Sequence, residues 1–314
     1  MVLLKNDCEK GEGVDLAKQY EVRVYPTFAM VDHEGEVTDR WAGYPGVEGF
    51  RDIVDAALAD RRTIAAKKAA FDEQPTVALA HGLGRYSESI FASQDAVRYY
   101  RQAMALDPAS TTELRGKVFL AMYYGVRGGE FTADEVVAQG RELLAADDVS
   151  VDRALTVASI TRRIAEPEQY RPVLERALAL TEGVEGEAAT AARRELEVDG
   201  ALLIDGDPDR ALELKRATLP EGWRDDAGQL NRFAWWCFEN EVNLEQAQQL
   251  ALRGVELATT DGDRANILDT AASIAFVRGR IEQAIELQTR AIELAPDNTG
   301  LQETLETFEA ARGS

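Results

Sequence analysis

Apolar and polar positions alternate in two regimes along the chain, with the change near Pro75. Before it, periods of two and of 3.6 are mixed. Met1 to Leu4 is a short apolar run that turns polar at Lys5-Asn6-Asp7, the pattern of a buried strand at its end. A helix is predicted at Val14 to Tyr20. Val22-Arg23-Val24 then alternates, and the strand pattern continues through Val31 with Pro26 at its entrance. Asp32-His33-Glu34-Gly35 has the composition of a hairpin turn, because glycine supplies the positive φ that the last turn position favours. Glu36 to Trp41 reads as the return strand. Val47 to Lys68 reads as one helix with Phe50, Ile53, Val54, Ala57 and Leu58 on a single face.

Beyond Pro75 no strand pattern remains, and helical periodicity is broken at short intervals by Gly, Pro and Asp clusters. Such punctuation calls for a search for internal repeats. With Val77 as position 1, Leu83 and Gly84 occupy positions 7 and 8, Ala96 position 20, Tyr100 position 24, Ala103 position 27 and Pro108 position 32. With Ala265 as position 1, Ala271 and Ala272 stand at 7 and 8, Gly279 at the inter-helix turn, Ala284 at 20, Ala291 at 27 and Pro296 at 32. A third register starts at Gly228, with Asn231 at 4, Ala234 and Trp235 at 7 and 8, Ala247 at 20 and Gly254 at 27. Small residues at 8 and 20 let two antiparallel helices approach, and a proline near 32 ends the second. These segments, 77–110, 228–261 and 265–298, resemble tetratricopeptide (TPR) repeats. The resemblance implies an all-α solenoid over 75–314 whose groove is lined by positions 2, 5, 9 and 12 of each first helix. In these registers that assigns His81, Arg85 and Glu88, then Gln229, Arg232, Trp236 and Glu239, then Asn266, Asp269 and Ser273. The middle, 111–220, is helical by pattern and only loosely of this type. Amphipathic helices are predicted at Glu130 to Ala146 and Asp152 to Ile164, and Asp207-Pro208 reads as an inter-helix turn before a position-20 alanine, Ala211.

Residues 1–60 resemble the C-terminal two-thirds of a thioredoxin-like fold. The residues that carry this are Leu4 to Asp7, Leu16 to Phe28, Asp32 to Val37, and Trp41-Ala42-Gly43-Tyr44 before a helix. The resemblance implies an α+β segment ahead of the solenoid, joined to it by a helical linker at 61–74. It further implies that Pro26 is the family's cis-proline, flanked by Tyr25 and Thr27 on the substrate-facing surface. The family's chemistry needs a Cys-x-x-Cys at a helix N-terminus, where the first thiol's pKa is lowered. This sequence has only Cys8 and Cys237, so no resolving thiol stands near either one. No catalytic residue is assigned; Cys8 is at most a lone thiol, and Cys237, inside Phe233-Ala234-Trp235-Trp236-Cys237-Phe238, is a core residue. In the family fold a strand lacking here lies between the one at Val2 to Lys5 and the one at Val24 to Val31, which leads us to expect an internal or misassigned start at Met1, or a damaged gene, with about 50 residues and a Cys-x-x-Cys encoded upstream. The other expectation is a remnant retained as a cap of the array.

Composition narrows the partners. Hydrophobic residues make up 45% of the 314, enough to fill real cores. Lys and Arg total 35 against 56 Asp and Glu, a formal charge of −21 that disfavours nucleic acid and anionic lipid. No apolar run is long enough to cross a bilayer, and no basic leader precedes a small-residue cleavage site, so the chain as written reads as cytoplasmic, with a full-length parent carrying an export signal as the alternative. Two cysteines and two histidines, His33 and His81, give no metal-ligand spacing, and the sequence calls for no cofactor. The expected function is a protein-interaction scaffold that binds a protein or peptide in the TPR groove, from a thiol-disulfide oxidoreductase whose tail selects partners. The alternative is a non-catalytic structural adaptor.

Overall fold

The structure is a computed structural model that describes residues 4–312. Its contacts gather into two compact units, one ending at Val184 and the other beginning at Glu185.

The first unit opens with α1 (Glu12–Gln19), closed by Glu21 in the left-handed region and a bond from Val22 N–H to the Ala17 carbonyl. Strand β1 (Thr27–Val31) pairs antiparallel with β2 (Val37–Ala42), Phe28 opposite Trp41 and Ala29 opposite Arg40. The turn between them is the expected one, with Gly35 at φ +85°. The Tyr25–Pro26 bond is cis. The strand pattern read from Val22 is formed only from Thr27 on. Pro26 has no N–H to give a ladder, and the Thr27 hydroxyl bends the chain back by donating to the Val24 carbonyl at 2.6 Å. The strand predicted at Met1 to Leu4 lies, except for Leu4, outside the described residues; Leu4 itself is 77% exposed and not in a strand.

The helix predicted from Val47 to Lys68 is two helices. α2 (Gly46–Ala59) ends at Asp60, whose carboxylate takes both guanidinium donors of Arg62, and the Thr63 hydroxyl caps α3 (Ile64–Glu73). Phe50 of α2 meets Trp41 and Phe28 edge-on, at centroid distances of 5.8 and 4.9 Å. α3 sends Lys67 into β2. There its ammonium donates to the Thr38 carbonyl at 2.7 Å and stands 3.6 Å from Asp39, with both side chains buried.

Helical hairpins follow: α4 (Val77–Ser89) with α5 (Ser93–Leu106), then α6 (Thr111–Val126) with α7 (Ala133–Leu144), and α8 (Val151–Ile164) with α9 (Pro167–Leu180). Position 8 shows why a small residue is needed. A Cβ on Gly84 would lie 2.5 Å from the Tyr100 ring of α5. The two helices predicted in this middle stretch are α7, trimmed at both ends by the Thr132–Glu135 capping box and by Ala145, and α8.

The second unit runs α10 (Glu187–Gly200), a π-turn at Ala201–Asp205, α11 (Pro208–Ala217), a 3₁₀ turn at Trp223–Asp225, α12 (Ala227–Glu239), α13 (Leu244–Leu257), α14 (Asp261–Val277), α15 (Ile281–Leu294) and α16 (Thr299–Arg312). Asp207 caps α11 and Ala211 is fully buried, as expected of the turn and its alanine. The core is built from alanines at the helix crossings, such as Ala234, Ala247, Ala272 and Ala284, with Leu230, Phe233, Leu268 and Leu287 between them.

The first helices α4, α12 and α14 end alike. Phe91, Glu241 and Gly279 adopt left-handed φ, and the next residue donates back to the carbonyls of Ser87, Cys237 and Ala275. This is the six-to-one bond of a Schellman cap. With Val77 and Ala265 as position 1, the left-handed residue is position 15 in both. The same cap at Glu241 makes Ala227, not Gly228, the first position of the intervening repeat. α5 and α15 begin two residues past the cap glycine position, whereas α13 begins one residue later because Asn243, itself at φ +50°, is extra. The array is thus a TPR-like run of helical hairpins, with one added turn residue in this repeat.

Candidate functional site

Successive helical residues are 100° apart, so burial fixes which stripe of α12 faces where. Leu230, Phe233, Ala234 and Cys237 form the core stripe, and all are at most 1% exposed. Next to it runs Gly228, Asn231, Trp235 and Phe238, positions 2, 5, 9 and 12 in the corrected register. Trp235 is 38% exposed and lies 5.0 Å from the partly buried ring of Phe238. The groove assignment from sequence, one residue out of phase, is corrected here. Trp236 is a core residue at 6% exposure, 6.1 Å from Phe233, on the flank where Lys215 of α11 stands over its ring. Gln229 and Arg232 lie off the stripe, Gln229 with its backbone N–H capped by Asp226 and Arg232 exposed with Nε donating to the Gly228 carbonyl. Trp235 and Asn231 were named in the sequence at other positions. The signal that identifies their face is the aromatic-apolar spacing Leu230-Phe233-Ala234-Cys237, which outranks the count backward from Ala247.

On α14 the register counted from Ala265 gives the stripe Asn266, Asp269, Ser273 and Phe276. Asn266 is exposed. Asp269 is half-buried, accepts a bond from Gln288 of α15 at 2.8 Å, and burial raises its carboxyl pKa. Phe276 stacks on Phe308 of α16 at 4.6 Å. The starts of the two stripes meet in a cleft of about 320 Å³ lined by Asp226, Gly228, Asn231, Ala258, Asp263 and Asn266, among others. The carboxylates of Asp226 and Asp263 cap or brace the starts of α12 and α14. The nearby cations are engaged elsewhere, Arg253 with Asp225 at 2.7 Å and Arg264 with Asp261 at 2.8 Å.

In the first unit the groove positions of α4 face other groups. Arg85 is ion-paired at 2.8 Å with the buried Asp39 of β2, so its charge is spent within the fold rather than offered to a ligand. Glu88 accepts the Tyr100 hydroxyl; burial raises both pKa values, that of Tyr100 well above the usual phenol range. His81 is half-buried, and desolvation lowers its pKa. At the hairpin end, Tyr25 is 61% exposed and shares an open cavity of about 460 Å³ with Lys5 to Glu9, so Cys8 and Tyr25 do come together. Pro26 is exposed beside it, and Thr27 is held by its bond to Val24. Cys237 is fully buried, and desolvation pushes its thiol pKa up to about 12. Among the described residues no helix is long and apolar enough to cross a membrane.

No protein-family model and no curated protein matches the chain. Solved structures do. A tetratricopeptide repeat protein from Parabacteroides merdae is similar over 83% of this chain and 96% of its own, at 14% identity and a TM-score of 0.46. YrrB, described as a TPR protein with an unusual peptide-binding site, is similar over 78% of this chain and all of its own, at 17% identity and 0.36. Pseudomonas aeruginosa pilF covers 78% and 99%, at 15% and 0.42. At such identities and scores nothing about function transfers, and the repeat type rests on the caps and small-residue positions of this chain.

Proposed function

We propose that the chain is a protein-interaction scaffold whose C-terminal repeats hold a peptide segment of a partner along Gly228, Asn231, Trp235 and Phe238, with Asn266 and Ser273 across the cleft. One observation carries this. Trp235 keeps over a third of its surface in solvent on the stripe next to a tightly packed core, backed by Phe238. Large aromatic side chains left partly open beside polar groups are the usual anchors of protein recognition. Panning a random peptide display library on the full chain, with Trp235→Ala as counter-selection, tests it. Selected peptides that lose the variant support the reading; a library that yields none, or only peptides that bind both proteins equally, sinks it.

The thioredoxin-like reading of residues 1–60 belongs with this proposal. It is supported by the Tyr20–Phe28 tract and by the order hairpin then helix, in which Phe28, Trp41 and Phe50 pack together. Thiol chemistry is not assigned to the chain as encoded, since Cys8 and Cys237 are its only thiols and are both free. Insulin reduction no faster than in a Cys8→Ser variant is the expected result.

A further inference from the structure

We propose that the segment held at this stripe is basic, with an arginine or lysine side chain entering the cleft between α12 and α14 and its apolar stem or neighbour covering Trp235. The inference rests on the peptide-binding reading and adds the chemistry of the partner. Three observations converge on it. The cleft walls present the carboxylates of Asp226 and Asp263 and the amide of Asn266, and neither carboxylate has a cationic side chain within ion-pair distance among the described residues. Two basic residues near it are bound to other acids, Arg253 to Asp225 and Arg264 to Asp261, and Arg232 donates to the Gly228 carbonyl. The exposed face of Trp235 stands one helical turn from Asn231 at the cleft, which suits a guanidinium over an aromatic ring with an aliphatic stem along it. The wider field agrees: residues 185–314 carry 26 Asp and Glu against 13 Lys and Arg, so a cationic segment is drawn to this unit and an anionic one repelled. A peptide rich in acid would have to bury its charge against Asp226 and Asp263 unpaired.

The local competitor is Arg232, whose guanidinium sits over the Gly228 carbonyl at the edge of the cleft. Its removal should strengthen binding of a basic segment rather than weaken it.

The test uses the full chain and three fluorescein-labelled peptides of equal length and apolar content, one carrying arginines, one glutamines and one glutamates, read by anisotropy. The arginine peptide should bind at least about tenfold more tightly than the glutamine peptide, with affinity falling as salt rises. Trp235→Ala and the pair Asp226→Asn with Asp263→Asn should each weaken it about five- to tenfold. At 226 Asn retains the acceptor that caps α12, and at 263 it retains an acceptor for the Thr260 hydroxyl while the backbone N–H that Thr260 caps is untouched, so the pair removes charge and not the caps. A pair of equal charge change on exposed positions of α16, Glu303→Gln with Glu306→Gln, should leave affinity nearly unchanged. If that control weakens binding as much as the cleft pair, the attraction is a diffuse field and the proposal falls. It also falls if the glutamine or glutamate peptide binds as well as the arginine one. If library-selected peptides bind through Trp235 but are not basic, the charge inference fails while the scaffold reading stands; if nothing binds through Trp235, both fail.

Discussion

The hairpin anchor in the first unit and the repeats of the second solve the same packing problem with opposite chemistry. Between β2, α3 and α4 the contact is ionic. Asp39, 2% exposed, takes Arg85 and Lys67, while the neighbouring Arg40 donates to the carbonyls of Tyr20, Glu21 and Ser89. In α12 to α15 the crossings are alanines set against leucine and phenylalanine, with hardly a charge among them. The first arrangement is specific and intolerant of losing one member; the second is tolerant of chemistry and intolerant of volume. Each invites its own way of being broken.

The largest effect is expected at the anchor. Asp39→Ala leaves Lys67 and Arg85 buried without their counter-charge and should cost about 3–5 kcal/mol in urea unfolding of the transition that includes the hairpin. A loss under about 1 kcal/mol, within the range of a surface ion pair, would show that the cluster is effectively solvated. On the other side, Ala284→Leu forces extra volume into a fully buried crossing and should cost about 1–3 kcal/mol. Because no charge is involved, that loss should be the same at low and high salt; the Asp39 loss too should change little with salt, since its pairs are buried and, unlike a surface ion pair, poorly screened.

A smaller effect tests the half-way case, Glu88 under Tyr100. Burial raises the folded-state pKa of Glu88 above its unfolded value, so between the two values the native state holds more protons than the unfolded one. The contribution of this group to stability is therefore present below the unfolded pKa and is lost as pH rises through the folded one. Glu88→Gln should flatten that part of a stability–pH profile; an unchanged slope would assign it to other groups. The smallest perturbation is a labelling reagent. At pH 8 Cys8, facing an open cavity, should react readily, while Cys237 with its thiol near 12 should react only as fast as its repeat opens. Equal rates at both sites would place Cys237 in a loosely packed region.

How much of this was legible from sequence follows from the same contrast. The alanine-packed repeats announce themselves, because small residues at fixed spacings are what close helix approach requires; the segments 77–110 and 265–298 overlap the helix pairs α4 with α5 and α14 with α15. The hairpin turn was equally plain from its glycine. The ionic anchor was not, since Thr38-Asp39-Arg40 on a strand and Lys67 on a helix look like solvent-facing residues until their partners are known. Arg85 was assigned to a groove for the same reason. The break at Asp60–Thr63 was obscured by good helix formers on both sides, although Thr63 is an N-cap signal. The loosely patterned middle has its own cause. α6 is followed by one residue, Phe131, between its Gly129–Glu130 cap and the Thr132 cap of α7, and α10 widens into a π-turn before Gly206, so periodic counting slips at each.

Asn243 makes that slippage a general property of the molecule. It was met above as one surplus residue between two helices, and it displaced the reading of a whole helix face by one position. In an array where each helix is phased by its own apolar stripe, the turn is a clutch: length can be gained or lost there while both helices stay locked on their cores. Insertions at such tips can therefore accumulate without rebuilding the interior, and a repeat period measured along the chain is a tape that stretches at every bend.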